Sequence, residues 1–182
     1  MQNKSAEIVP PNIDVSSLPR NLRRDLRSDH AGETGAVMIY KGILAVTSDP
    51  RLRSFAEAHL ETEQTHLTLF ESWLPQSDKS RLLPLWEISG FLLGAIAALA
   101  STQLAFYTIE IVERFVVEHY ESQIINAPEN LLDTLLRLQA EEKEHQLEAI
   151  TLQANSKNLF FRSWGWLVDA GSRLAVNVAR MV

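Results

Sequence analysis

Two copies of one spacing constrain this chain more than anything else in it. Glu63-Gln64-Thr65-His66 and Glu142-Lys143-Glu144-His145 both read Glu-x-x-His, and Glu33 and Glu113 precede them by 30 and 29 residues. In an α-helix, residues i and i+3 lie one turn apart on one face, so each pair aims a carboxylate and an imidazole at the same point. With 16 Glu and 5 His in 182 residues, accident supplies roughly half of one such match. It does not supply two, each behind a further glutamate at nearly equal distance. The chain therefore reads as two similar halves, each a helix bearing Glu followed by a helix bearing Glu-x-x-His.

The local punctuation agrees with this reading. Residues 1–16 are polar with Pro10 and Pro11 and are expected to form a flexible arm, leaving 17–182 as one domain. Ser16 or Ser17 would cap a first helix with Pro19 in its opening turn, running to about Val46. Asp49-Pro50 starts a second, which ends near Trp73 before Pro75. After a polar turn over 76–81, Leu82 to Ala100 is apolar except for Glu87. This stretch is expected as a buried crossover helix, with contact at a membrane interface as the other reading. Its uncharged part, Ile88 to Ala100, has 13 residues, short of the roughly 20 needed to cross a bilayer. Ser101 or Thr102 opens a helix to about Ile125, and Pro128 opens another over Glu129 to Gln153. The last helix, Leu159 to Val182, gathers Arg162, Asp169, Arg173, Asn177 and Arg180 in a narrow polar stripe. The remainder, with Trp164 and Trp166, is apolar and wider than one bundle groove needs; it is expected to pack on one side and meet lipid on another, with burial or dimerisation as the other reading. Arg20, Arg23, Arg24 and Arg27 form a basic cluster, read either as a solvated helix end or as attracted to an anionic membrane surface. Gly32 and Gly35 flank Glu33 and are expected to let another helix approach.

The inward stripes carry the chemistry. Leu135, Leu138, Glu142, His145 and Ala149 share one face, as do Phe55, His59, Glu63, His66 and Phe70. A buried charge without a partner costs several kcal/mol, and no Lys or Arg lies beside the glutamates on these stripes. Metal is the expected counter-charge: four carboxylates carry a charge that two divalent ions neutralise. Carboxylate and imidazole together suit iron or manganese rather than a structural zinc site. His59 lies two turns, about 10 Å, from His66, too far for the same metal ion, which assigns it a structural or exposed role. Glu110 is an extra carboxylate close to Glu113. The absence of Cys excludes disulfides and thiol catalysis. A net charge of −6 argues against nucleic acid as a partner. The first residues hold Glu7 and no apolar run, so no secretory signal is expected.

One Glu from each of two helices and Glu-x-x-His from two others resembles the ligand pattern of ferritin-like di-metal bundles. The resemblance extends to one family, the di-iron demethoxyubiquinone hydroxylases of ubiquinone biosynthesis. It covers roughly residues 22–182, through Asp29-His30-Ala31-Gly32-Glu33, Ile39-Tyr40, Glu63-x-x-His66, Pro84-Leu85-Trp86, Gly90-Phe91, Val112-Glu113, His119-Tyr120 and Glu141-Glu142-x-Glu144-His145. It implies an all-α fold: a ferritin-like four-helix bundle with a hydrophobic crossover helix and an extra amphipathic C-terminal helix. It places Glu33, Glu63, His66, Glu113, Glu142 and His145 on two iron ions. Asp29 or His30, and Tyr120, become candidates for orienting the ligand imidazoles or carrying a proton, with His119 a further candidate beside the ligands. It further implies O₂ as co-substrate and an external electron donor, with NADH as the candidate. The substrate would be a membrane-embedded prenylated quinol, with other ubiquinone-biosynthesis proteins as partners. The expected location is peripheral, on the cytoplasmic face of a bacterial inner membrane or the matrix face of a mitochondrial one. Glu118 stands where the family often has His. A ferritin-like iron-oxidising or peroxide-scavenging protein would share the ligands, as would a di-iron hydroxylase of another substrate. The former has no need of an apolar tail.

Overall fold

The computed structural model describes residues 13–153 and 158–182; the expected arm lies outside them as far as residue 12. Among the described residues six α-helices follow one another: α1 Arg20–Val46, α2 Pro50–Trp73, α3 Leu83–Ala100, α4 Thr102–Ile124, α5 Glu129–Leu152 and α6 Leu159–Ala179. Among the described residues there is no strand. Three starts are capped by side chains. Asp49 Oδ1 accepts from the Arg51 and Leu52 amides with Pro50 behind it, Ser101 Oγ from Leu104, and Asn158 Oδ1 from Phe161. The first start differs from expectation. Ser16 and Ser17 lie inside a short 3₁₀ turn, Val15–Ser17, which Asp14 caps; Pro19 then precedes α1 with no side-chain cap. Val15 is buried against α1 and its neighbours, so the tail of the expected arm belongs to the core.

Two apolar clusters hold the helices. One contains Tyr40, Ile43, Phe55, Leu104, Phe106, Ile109 and Ala149; the other contains Leu22, Leu26, Phe70, Trp73, Leu131, Leu135 and Leu138. Each of α1, α2, α4 and α5 has one end in each cluster, and α1 and α5 run opposite to α2 and α4. Burying a Leu, Ile or Phe contributes about 1.5–3 kcal/mol, so both ends are firmly packed. The Glu and Glu-x-x-His positions fall between the clusters on all four helices.

Helix α3 lies along α1 at backbone contact. A Cβ at Gly94 would stand 2.0 Å from the Ile39 carbonyl oxygen, one at Gly90 2.5 Å from that of Gly35, and one at Gly42 2.1 Å from that of Phe91. Close approach thus comes through Gly42, Gly90 and Gly94. Gly35 meets the expectation through its backbone, which the Gly90 position of α3 touches, although a Cβ at Gly32 or Gly35 would itself meet nothing within 4 Å; both border a cavity. Gly94→Ala has to push the two backbones apart and should lose at least about 2 kcal/mol of stability. Gly171→Ala, mid-helix with open space around it, should gain about 0.5–1 kcal/mol. Urea melts compare them, and a Gly94→Ala midpoint equal to the parent's would contradict this packing.

The crossover helix is not buried as expected. Only Gly90, Gly94, Ala95 and Ala97 of α3 are covered, while Ile88 is 60% and Leu99 70% exposed. Gly90 and Gly94 face α1, while Leu85, Ile88, Leu92, Ile96 and Leu99 face outward. By length and composition alone, α3 is long and apolar enough to cross a membrane. Helix α6 packs on α4 and α1 and leaves Phe160, Trp166, Leu167 and Leu174 exposed. Its two tryptophans part company. Trp166 is 72% exposed, whereas Trp164 packs on the core and donates from Nε1 to Thr108 Oγ1 at 2.8 Å, which removes it from the expected lipid face.

Candidate metal centre

Glu33 from α1, Glu63 and His66 from α2, Glu113 from α4 and Glu142 and His145 from α5 converge between the two apolar clusters, and all six are buried. They form two groups. Single donor atoms of Glu33, Glu63, His66 and Glu142 lie within 4.8 Å of one another, and so do those of Glu63, Glu113, Glu142 and His145. Glu63 and Glu142 belong to both. Glu142 turns Oε1 toward His66 Nδ1 at 2.8 Å and Oε2 toward His145 Nδ1 at 3.3 Å. Glu63 turns Oε2 toward His66 Nδ1 at 3.9 Å and Oε1 toward His145 Nδ1 at 3.1 Å. Each of these carboxylates therefore divides its oxygens between two adjacent points, as a bridge between two ions would.

The electrostatics demand a counter-charge. Among the described residues, the only cationic groups within 4 Å of these four carboxylates are the imidazoles. Both oxygens of Glu63 and of Glu142, Glu113 Oε2 and the Nδ1 atoms of His66 and His145 are buried without a hydrogen-bond partner. Burial pushes Glu63 up to about 8, and Glu113 also rises; the nearby Glu142 carboxylate adds to both shifts. Burial acts the same way on Glu142, but pairing with His145 and His66 outweighs it and holds that carboxyl well below its ordinary range. Burial alone would lower the two imidazoles, yet carboxylates around them raise both. Metal ions reverse that balance, because they compete for the same lone pairs that the protons occupy.

Surrounding groups fix the six side chains. His66 Nε2 lies 2.7 Å from Glu141 Oε2, and Arg137 Nε holds Glu141 Oε1 at 3.0 Å. The pairing holds Glu141 below the usual range although burial opposes it. A carboxylate only accepts, so Nε2 carries a hydrogen, and with metal in place of the second proton Nδ1 would present its lone pair inward. The tyrosines trade places across the bundle. Tyr40, seven residues after Glu33, donates to Glu113 Oε1 at 2.8 Å; Tyr120, seven after Glu113, donates to Glu33 Oε1 at 2.6 Å.

Of the four residues expected to support the ligands, Tyr120 does so directly. Asp29 and His119 bond to each other rather than to a ligand imidazole. Asp29 Oδ1 also accepts from Gln123, and burial raises the Asp29 carboxyl despite both donors. His30 is buried, and burial and Lys79 lower it to about 4; neither ring nitrogen has a hydrogen-bond partner. His59 is buried beside the centre. Its ring meets that of His145 at 4.1 Å between centroids, and its Nε2 lies 2.9 Å from Glu148 Oε2. Glu110 stays outside both groups and accepts from Gln153 at 2.7 Å. Glu118, exposed, accepts from Arg173. Glu141 and Tyr40 were not singled out from the sequence. Tyr40 had a signal, since the seven-residue Glu-to-Tyr spacing occurs in both halves. Glu141 had none beyond its place next to Glu142.

A cavity of about 420 Å³ opens from Glu33, Glu63, Glu113 and Glu142 and runs between α1, α3, α4 and α6. Its walls are mostly apolar, with Ile39, Trp86, Leu93, Phe115, Val168 and Val176 among them.

A family profile described as "Ubiquinone biosynthesis protein COQ7" matches residues 20–179. The chain belongs to that family. With the helices described above, this makes it an all-α member of a ferritin-like family. Relatives agree. The chain is 28% identical over 173 residues to a Dictyostelium discoideum protein named NADPH-dependent 3-demethoxyubiquinone 3-hydroxylase, mitochondrial, covering 90% of this chain and 79% of that one. It is 32% identical over 167 residues to a Rhodospirillum rubrum protein named 3-demethoxyubiquinol 3-hydroxylase, covering 88% and 78%. Against the Rattus norvegicus protein, named like the first, identity is 33% over 129 residues, or 66% of this chain and 59% of the relative.

Proposed function

We propose that this COQ7-family chain is a di-iron monooxygenase that hydroxylates the ring of a prenylated methoxy-methyl benzoquinol, demethoxyubiquinol, in ubiquinone biosynthesis. The observation that carries the reading is the cavity: four buried carboxylates open into a passage with mostly apolar walls. Glu33 and His66 would hold one iron, Glu113 and His145 the other, and Glu63 and Glu142 both. The orphaned buried oxygens and inward Nδ1 atoms fit such a pair. Bound iron would supply the activation of O₂, with electrons from an external donor; the named relatives that specify one specify NADPH. The chain's own part is to hold and position. Glu141 sets the His66 tautomer, Tyr40 and Tyr120 restrain Glu113 and Glu33, and the apolar walls exclude water and admit the prenyl tail.

Purified protein loaded with ferrous iron, given a reductant, O₂ and the quinol, should yield a product heavier by one oxygen atom, labelled when ¹⁸O₂ is used. Iron oxidation with no hydroxylated product would favour the iron-oxidising alternative instead.

The exposed apolar faces of α3 and α6, with Arg20 exposed at the start of α1, support a membrane-surface location. Vesicles rich in anionic lipid should bind the protein, less so as salt rises. The Leu92→Asp, Trp166→Asp double variant loses two exposed anchors, worth about 1.5–3 kcal/mol each if fully buried. Its binding should fall by at least about tenfold, since 1.4 kcal/mol is one decade. Undiminished binding would put the contact surface elsewhere.

A further inference from the structure

The cavity is apolar along most of its walls, but Ser28 and Asp29 of α1 and His119 of α4 form a polar corner. His119 Nε2 lies 2.9 Å from Asp29 Oδ1 and 3.3 Å from Ser28 Oγ, and Gln123 Nε2 donates to the same Asp29 oxygen at 2.7 Å. Asp29 is buried, while the His119 side chain keeps 12% of its surface exposed. The metal ligands do not need this pair: Glu33 and Glu113 take the tyrosines and His66 takes Glu141. The second donor on Oδ1 marks Asp29 as the acceptor. His119 therefore carries its hydrogen on Nε2 and keeps the lone pair on Nδ1. Among the described residues, Nδ1 has no protein partner. A carboxylate that fixes one tautomer and steadies the imidazolium is the arrangement that makes histidine a general base. The corner is also where a ring with two oxygens would find a hydrogen-bonding group in an otherwise apolar passage.

We propose that His119 is a catalytic residue that accepts, at Nδ1, the proton of a ring hydroxyl of the bound quinol, with Asp29 as its positioning residue. The assignment rests on the hydroxylase reading above. The O–H bond breaks, an N–H bond forms at Nδ1, and the electron pair stays on the ring oxygen. Asp29 stabilises the imidazolium. The ring anion is richer in electrons than the neutral quinol at the carbon to be hydroxylated. The proton returns from His119 when the product hydroxyl re-forms.

Iron-loaded His119→Gln and Asp29→Asn enzymes test this against the parent, with iron content and melting temperature measured alongside. Gln at 119 can still donate to Asp29 but cannot carry a proton. Its kcat should fall by about 100-fold, in the range of general-base losses, with KM little changed and iron retained. On a fluorinated quinol, nearly isosteric but with a more acidic hydroxyl, the loss should shrink to less than about tenfold. Asp29→Asn should show the same pattern more weakly. Parental kcat in His119→Gln, or equal losses on both quinols, would overturn the proposal. Loss of iron from both variants would overturn it too, because the pair would then support the metal. A parent that fails to hydroxylate the quinol sinks the function itself; a competent parent matched by His119→Gln sinks only this assignment.

Discussion

Glu142→Ala protein should take up iron at least about 100-fold more weakly than the parent, beyond the 10- to 100-fold range typical of removing a group that merely supports a ligand, and should lose hydroxylation with it. Glu142 faces His66 with one oxygen and His145 with the other, so its removal strips both positions at once. No neighbour can replace it. Glu141, the adjacent residue, points at the outer nitrogen of His66 and is held there by Arg137. Glu110→Gln is the matched control, because Glu110 lies on α4 yet outside both groups and pairs with Gln153. Iron titration and turnover of the three proteins would be compared. Similar losses in the two variants, or full iron content in Glu142→Ala, would refute the assignment of the ligands.

The metal-free protein should lose stability steadily as pH rises from about 4.5 past 8, while the loaded protein should not. Glu63 rises in the fold from an ordinary 4.5 to about 8, and Glu113 is raised as well. Between those values the folded chain holds protons that the unfolded chain has released, so raising the pH favours unfolding. His66 and His145 act in the same direction. Both are raised in the fold, so their contribution is complete below the unfolded imidazole value and is lost as pH climbs through the folded one. Glu142 is depressed and opposes the others, but its contribution is lost only as pH falls below the usual carboxylate range. Metal removes the conflict by replacing those protons. Glu63 alone should therefore widen the gap between loaded and empty protein from pH 5.5 to pH 8 by roughly 3 kcal/mol, about 10 °C for a chain of this size. Glu63→Gln should raise the melting point of the empty protein at pH 8 while weakening metal binding. An empty form that melts higher at pH 8 than at pH 5.5 would exclude a repelling carboxylate cluster.

Much of this was legible in the chain because it depends on local geometry. Asp49-Pro50 and Ser101 act as helix starts wherever they occur, and a three-residue step always brings Glu63 and His66 to one face. The places where the reading failed share a cause. Ser16 and Ser17 looked like caps of the first helix, but they lie in a 3₁₀ turn that Asp14 caps, and α1 starts without a side-chain cap. Gly32 and Gly35 looked like the contact glycines; α3 does reach the Gly35 backbone, but the Cβ positions closed by backbone are at Gly42, Gly90 and Gly94. Apolar content predicted burial for α3 but could not say which of its faces α1 would take. Trp164 and Trp166 lie two residues apart on α6, and only the position of α4 decides that one bonds Thr108 while the other faces outward.

By itself, the sequence determined six helices with mostly correct ends, the four glutamates and two histidines that would meet, and a surplus of apolar surface at α3 and α6. These follow from spacing along one chain and from the cost of burying charge without a partner. Tertiary structure alone decided the contacts between helices that are distant in sequence. Glu141 of α5 reaches His66 of α2, Tyr40 and Tyr120 exchange their glutamates between α1 and α4, and Asp29 fixes His119 beside the cavity. The physical reason is that periodicity states which residues share a face but not which face of another helix lies opposite. That choice is made by the packing of whole surfaces, and here glycine contact between α1 and α3 and the two apolar clusters make it.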